Sequence, residues 1–135
     1  AARAKTPEQR AVFDPHRLSA YLELDEPERA VPMLLASERD LPNDYNPSAR
    51  LATAYKAMKQ WDEALAASDR ALAKAYGPRK LGIYSTRLEI LIGKGDVAGA
   101  RTALAEALAY ADSLPAEQRS ESTLTALRKK LDEVK

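Results

Sequence analysis

The chain contains no cysteine and only one histidine, one tryptophan and one phenylalanine in 135 residues. Without thiols there is no disulfide, no thiolate nucleophile and no thiolate metal ligand. His16 has no second histidine with which to build a zinc site or a relay. It is expected to be a solvated or partly packed residue near a helix start. Valine and isoleucine together number seven, against 26 alanines and 18 leucines. Strand formers are scarce and helix formers abundant, which excludes a sandwich, a barrel or a doubly wound sheet. No run of about 18 apolar residues is present, so no membrane insertion is expected. Neither sign of charge dominates: the net charge is +1 and the pI about 8.2. Such a balance gives no electrostatic footprint for nucleic acid.

Catalytic motifs are absent too. There is no Gly-x-Ser-x-Gly elbow for a serine nucleophile. Gly93-x-Gly95 follows a helical pattern and is not succeeded by Lys-Ser or Lys-Thr, so it is a turn and not a phosphate loop. The acidic pairs Asp25-Glu26, Asp62-Glu63 and Asp132-Glu133 fall in turns or on a polar face, where carboxylates cap helices or solvate the surface. No enzyme activity and no cofactor is expected. The first residues, Ala1-Ala2-Arg3-Ala4-Lys5, include no initiator methionine and no apolar signal-peptide core, so a mature form or an excised piece is expected. A cysteine-free chain suits a periplasmic or secreted location and equally the cytoplasm.

What the sequence does have is self-similarity. The block Leu51-Ala52-Thr53-Ala54-Tyr55, Trp61-Asp62-Glu63-Ala64 and Ala71-Leu72 recurs 36 residues later. There Leu91 replaces Tyr55, Val97-Ala98-Gly99-Ala100 replaces Trp61 through Ala64, and Ala107-Leu108 replaces Ala71-Leu72. Shifted back by 34, Leu18 falls on Ala52, Tyr21 on Tyr55 and Ala30 on Ala64. Each unit reads as two helices joined by a short turn. Leu51, Ala54, Tyr55 and Met58 share one helical face; Ala64, Leu65, Ala67, Ser68, Ala71 and Leu72 share the next. Asp62 and Asp96 are expected to cap helices, and Pro42, Pro78 and Pro115 to mark unit ends. Pro32 is expected inside a helix, deleting one hydrogen bond and bending it.

The ends fit the same scheme. Thr6-Pro7-Glu8-Gln9 has the form of a capping box, and Asp14-Pro15 of a second helix start. Leu124, Leu127, Leu131 and Val134 form one apolar stripe on a polar final helix, suited to closing a stack of repeats. The expected organisation is one domain, residues 1–135: a lead-in (1–10), repeats at 11–44, 45–80 and 81–114, and a capping helix (115–135).

This pattern resembles the tetratricopeptide repeat, a 34-residue helix-turn-helix unit. The middle unit carries the likeness best, through Leu51, Ala52, Tyr55, Ala64, Ala71 and Leu72; Ser68 stands where the family has an aromatic. The third unit offers Tyr84, Leu88, Leu91, Gly95, Ala100, Leu104 and Ala107. In the first, Arg17 and Leu18 depart from the pattern, and the likeness spans about residues 11–114. The resemblance implies an all-α, right-handed α-solenoid of helix-turn-helix repeats and a non-catalytic scaffold that binds another protein or peptide in a concave groove. The first helix of each unit then supplies the groove residues: Ser19, Leu22 and Glu23; Arg50, Thr53 and Lys56; Ser85, Glu89 and Ile92.

Residues 45–80 carry seven basic and three acidic groups, so an acidic partner segment is expected, with Arg50 and Lys56 as its main contacts. The family's carboxylate clamp for chaperone tails is not expected to operate. Pro15, Ser19, Arg50, Gly82 and Thr86 occupy the positions that its lysines, asparagines and arginine would need. Trp61 is expected to pack at the turn, with a hot-spot contact as the alternative. The polar final helix implies a monomer.

A second reading comes from Asp44-Tyr45-Asn46-Pro47 and Ala75-Tyr76-Gly77-Pro78-Arg79-Lys80. These strings look similar to repeat tails that follow thioredoxin-like domains in bacterial secreted proteins. The chain would then be the C-terminal docking or oligomerisation appendage of a larger bacterial enzyme, with the redox chemistry elsewhere.

Overall fold

A computed structural model describes residues 6–133. Eight α-helices follow in order: α1 (Pro7–Ala11), α2 (Asp14–Glu23), α3 (Val31–Asp40), α4 (Tyr45–Ala57), α5 (Trp61–Lys74), α6 (Arg79–Lys94), α7 (Val97–Asp112) and α8 (Glu121–Asp132). Short 3-10 turns lie at Pro27–Ala30 and Ala116–Gln118, and no strand occurs among the described residues. The chain forms two compact units, Ala1–Lys74 with α1 to α5 and Ala75–Lys135 with α6 to α8.

The same turn is built three times. After α2, the N–H of Asp25 donates to Leu22 C=O and that of Glu26 to Tyr21 C=O. After α4, Lys59 donates to Lys56 and Gln60 to Tyr55; after α6, Gly95 donates to Ile92 and Asp96 to Leu91. Each is a Schellman motif, in which two backbone N–H groups fold back onto the last orphan carbonyls of the helix. The motif requires a left-handed residue, and Asp25 (φ 57°), Lys59 (φ 59°) and Gly95 (φ 87°) supply it. Tyr21, Tyr55 and Leu91 thus accept equivalent bonds at the offsets of 34 and 36 that the sequence shows. Only at Gly95 does the residue suit the conformation without steric cost. Gly93 lies within α6.

In the first unit α4 packs most extensively against α5. Their seam consists of Leu51, Ala52 and Ala54 against Ala64, Ala67, Ser68 and Ala71, all at most 1% exposed. Side chains of one methyl let two helix backbones approach closely. Tyr55, on α4, is half-buried. Ser68 occupies its buried position at little cost because its hydroxyl donates to Leu65 C=O, 2.7 Å away on its own helix.

Two local expectations are corrected. Pro32 is the second residue of α3, where no intrahelical N–H is needed, so it deletes no bond. The chain enters α3 through the 3-10 turn at Pro27–Ala30 instead of one bent helix. Asp62 is the second residue of α5 and not its cap, whereas Asp96 does cap α7 by accepting the Gly99 N–H at 2.8 Å. The lead-in is a true capping box: Gln9 N–H donates to Thr6 Oγ1 (3.1 Å) and Thr6 N–H to Gln9 Oε1 (3.2 Å).

In the second unit Leu88, Ile90 and Leu91 of α6 and Ala100, Ala103, Ala107 and Ala111 of α7 are buried together with Leu124, Leu127 and Leu131 of α8. The α8 stripe covers both α6 and α7, as a closing helix should. Val134 lies outside the described residues. Arg119 fastens the α7–α8 connection: its guanidinium donates to the carbonyls of Ala111, Asp112 and Leu114, each at 3.0 Å. Those are carbonyls at and beyond the end of α7, where the helix dipole also favours a cation.

Candidate functional site

Asp44 sets the start of α4. Its carboxylate accepts the Asn46 N–H and the Asn46 side-chain amide, both at 2.9 Å, and Pro47, the next residue, is buried. With this start fixed, α4 buries Ser48, Leu51, Ala52 and Ala54 on its packed side. Arg50, Thr53 and Lys56 are left half-buried. Six residues of helix separate Arg50 from Lys56 by about 9 Å along the axis. Thr53 lies between them and donates its hydroxyl to Ala49 C=O at 3.3 Å.

Helix α2 packs on α4, bringing Ser19 and Leu22 into the same unit as the three α4 residues. Ser19 and Glu23 are exposed and Leu22 is half-buried. The remaining candidates, Ser85, Glu89 and Ile92, are half-buried on α6 in the second unit. Glu89 is engaged locally, as it accepts a hydrogen bond from Lys130 of α8.

Not all of the basic excess of residues 45–80 faces outward. Glu38 on α3 accepts from Ser48 Oγ on α4 (2.5 Å) and from Arg70 Nε on α5 (2.8 Å), and Lys74 Nζ donates to Ser48 Oγ at 3.3 Å. Burial pushes the Glu38 carboxyl up. The bonds from Arg70 and Ser48 and the charges of Arg70 and Lys74 outweigh it, holding the group below its ordinary value. Lys80 sits over the Tyr110 ring at 4.8 Å, a cation–π contact. The same Tyr110 hydroxyl donates to Gly77 C=O at 3.1 Å, and its ring lies 6.1 Å from that of Tyr84. Burial, then the nearby Glu106, raises the Tyr84 hydroxyl. Arg70, Lys74 and Lys80 thus each have a local structural task, and Arg50 and Lys56 are the cations among the α4 candidates.

The Glu38–Arg70 and Tyr110–Gly77 links escape a reading of helical faces. They join residues 32 and 33 positions apart, close to one repeat length. Complementary pairs sought at that offset would reveal them. Among the other residues singled out, His16 is exposed on α2 and Trp61 is half-buried as the first residue of α5. Within the first unit, Glu8, Asp40, Leu41, Pro42, Asn43 and Asp44 line a shallow cleft of about 410 Å³. Asp44 there is already the α4 cap, and the described residues contain no metal-binding group of three or more His, Asp or Glu.

No family model matches the sequence, and no curated protein matches it. A solved structure does: the second TPR domain of human RPAP3, determined by NMR in complex with the HSP70 peptide SGPTIEEVD. It superposes with a TM-score of 0.66 at 16% sequence identity, covering 90% of this chain and 98% of that one. The likeness establishes the fold, an all-α helical repeat of the tetratricopeptide type.

Proposed function

We propose that the chain is a non-catalytic protein-binding module whose α2 and α4 faces hold an acidic segment of another protein. The observation that carries this reading is the disposition of cations on the middle helices. Arg70 and Lys74 bind Glu38 and Ser48, while Arg50 and Lys56 are half-buried on α4, the helix on which α2 with Ser19 and Leu22 packs. Half-buried arginine and lysine keep their stems packed, so less freedom is lost when they bind a carboxylate. Arginine also offers a bidentate fork. The fold supports the role: the RPAP3 domain of the same fold was solved with a peptide bound.

That peptide itself is not the proposed ligand, because Pro15, Ser19, Arg50, Gly82 and Thr86 stand where clamp residues would be needed. The test is fluorescence anisotropy with labelled acidic, neutral and basic peptides of matched length. Micromolar binding of acidic peptides alone is expected, and it should vanish in the Arg50→Glu/Lys56→Glu variant. Equal binding of all three peptide classes, or a double variant that binds as well as the parent, refutes the proposal. So does micromolar binding of SGPTIEEVD through its terminal carboxylate.

A further inference from the structure

We infer that α2 is a docking surface for a second copy of this chain, whose own α2 lies against it in antiparallel orientation. Phe13, Arg17, Ala20 and Leu24 are spaced by four, three and four residues and so share one stripe of the helix. Phe13 and Leu24 flank α2 but keep its register: Phe13 C=O accepts the Arg17 N–H, and the Leu24 N–H donates to Ala20 C=O. Shifted by 34, the stripe becomes Pro47, Leu51, Ala54 and Met58 on α4, of which the first three are buried and the last half-buried. A further 36 residues on, Ile83 and Ile90 of α6 are buried as well. On α2 the stripe is bare: Phe13 is 40% exposed and Leu24 63%, and Arg17 and Ala20 are exposed with them. The described element before α2 is α1, which packs on α3. A stripe that is packed in two repeats and open in another is an unpartnered face, unlike the single apolar residues scattered over any surface.

Spacing and charge select the occupant. The order four, three, four reads the same in both directions, and an isologous contact needs such self-complementarity. An antiparallel copy sets Phe13 against the second copy's Leu24, and Arg17 against its Ala20, long side chain over short. The charges are divided in the same sense. Arg17, preceded by His16, lies near the start of α2, while Glu23 and Asp25 lie at and just past its end. Antiparallel pairing places each basic end beside the other copy's acidic end and opposes the two helix dipoles. The two Arg17 charges stay apart, because each guanidinium lies over its own Phe13 ring, 5.7 Å from the centroid and towards the basic end. Ser19 and Leu22 stand about 130° and 170° round the helix from the stripe, so the contact leaves the candidate face shared with α4 open. One helical stripe is smaller than the roughly 800 Å² per partner of a standard interface, so a weak dimer is expected, with a dissociation constant of about 100 µM.

Sedimentation equilibrium of the whole chain from about 10 µM to about 1 mM brackets that constant. The mean mass should rise from one chain towards two and no further, and added salt should lower it. NMR shifts followed over the same dilution should change along the α2 stripe, which locates the contact without any variant. Ala20→Arg, at an exposed helical site, should weaken association by about tenfold or more with unchanged helical circular dichroism. Arg17→Glu and Glu23→Arg should each stay monomeric alone. An equimolar mixture of the two should dimerise about as the parent does, because only the mixed pair restores opposite charges at both ends. A single chain mass at every concentration, dilution shifts outside α2, undiminished association of Ala20→Arg, or a mixture no better than its components overturns the inference. None of these outcomes touches peptide binding at α4, so the acidic-segment reading stands or falls by its own test.

Discussion

Replacing Gly82 and Gly95 by alanine is the same chemical change, yet the two should move stability in opposite directions. Gly95 ends α6 at φ 87°, whereas Gly82 lies within that helix, and a methyl group at either position would meet nothing within 4 Å. Packing is therefore equal, and only the backbone differs. In the left-handed region a Cβ costs about 1–2 kcal/mol. Alanine returns about 0.4–1 kcal/mol by restricting the unfolded chain. Gly95→Ala should thus lose about 0.5–1 kcal/mol net. Gly82→Ala should gain about 0.5–1 kcal/mol, the helix preference for alanine over glycine. Lys59→Gly, at φ 59° in the equivalent turn of the first unit, should gain about as much as Gly95→Ala loses. For a chain of this size each kcal/mol moves the melting temperature by about 3–5 °C. Thermal melts followed by circular dichroism would resolve these signs. If Gly82→Ala and Gly95→Ala shift the melt in the same direction, the three-fold recurrence of the left-handed turn is wrong.

Three further outcomes are expected. Leu51→Ala, at a site with no exposure, should cost about 2–5 kcal/mol in denaturant unfolding, while Tyr55→Ala, at a half-buried site, should cost clearly less; the reverse order would mean that the seam is misplaced. Glu38 is depressed in the folded state, so its contribution is present above the ordinary glutamate range and lost as pH falls through the lower folded value. Melting temperatures measured from pH 6 down to pH 2 should accordingly fall more steeply for the parent than for Glu38→Gln. Arg119→Ala should free the end of α7 at a cost of about 1 kcal/mol, read as faster amide exchange in residues following Tyr110 and little change in α6.

Much of the fold was legible because repetition tests each assignment more than once. The alignment of Tyr21, Tyr55 and Leu91 reappears as three equivalent hydrogen-bond acceptors, although their side chains differ in type. Alanines at helical spacing located the buried face of α5. The failures were local competitions that periodicity does not describe. Pro32 obeys the rule for helix starts, but the 3-10 turn before it moved that start to Val31. Asp62 can cap a helix, yet the Lys59 turn ends one residue earlier and α5 begins at Trp61. The candidate site was legible only as a set of positions. That Arg70 and Lys74 are directed to Glu38 and Ser48 depends on three helices meeting, and Glu89 pairs with a lysine 41 residues away.

The alanine seam between α4 and α5 has a consequence for how this hairpin tolerates change over generations. The alanines of this contact have little bulk to give up, so trimming one to glycine opens only a small void, with a further penalty of about 1 kcal/mol in helix preference. Enlarging one must push two backbones apart, and that strain spreads along the whole pair. Variation at these alanines is therefore one-sided: erosion is survivable and growth is not. Sequence novelty at this hairpin is thereby directed to the outer faces of the helices.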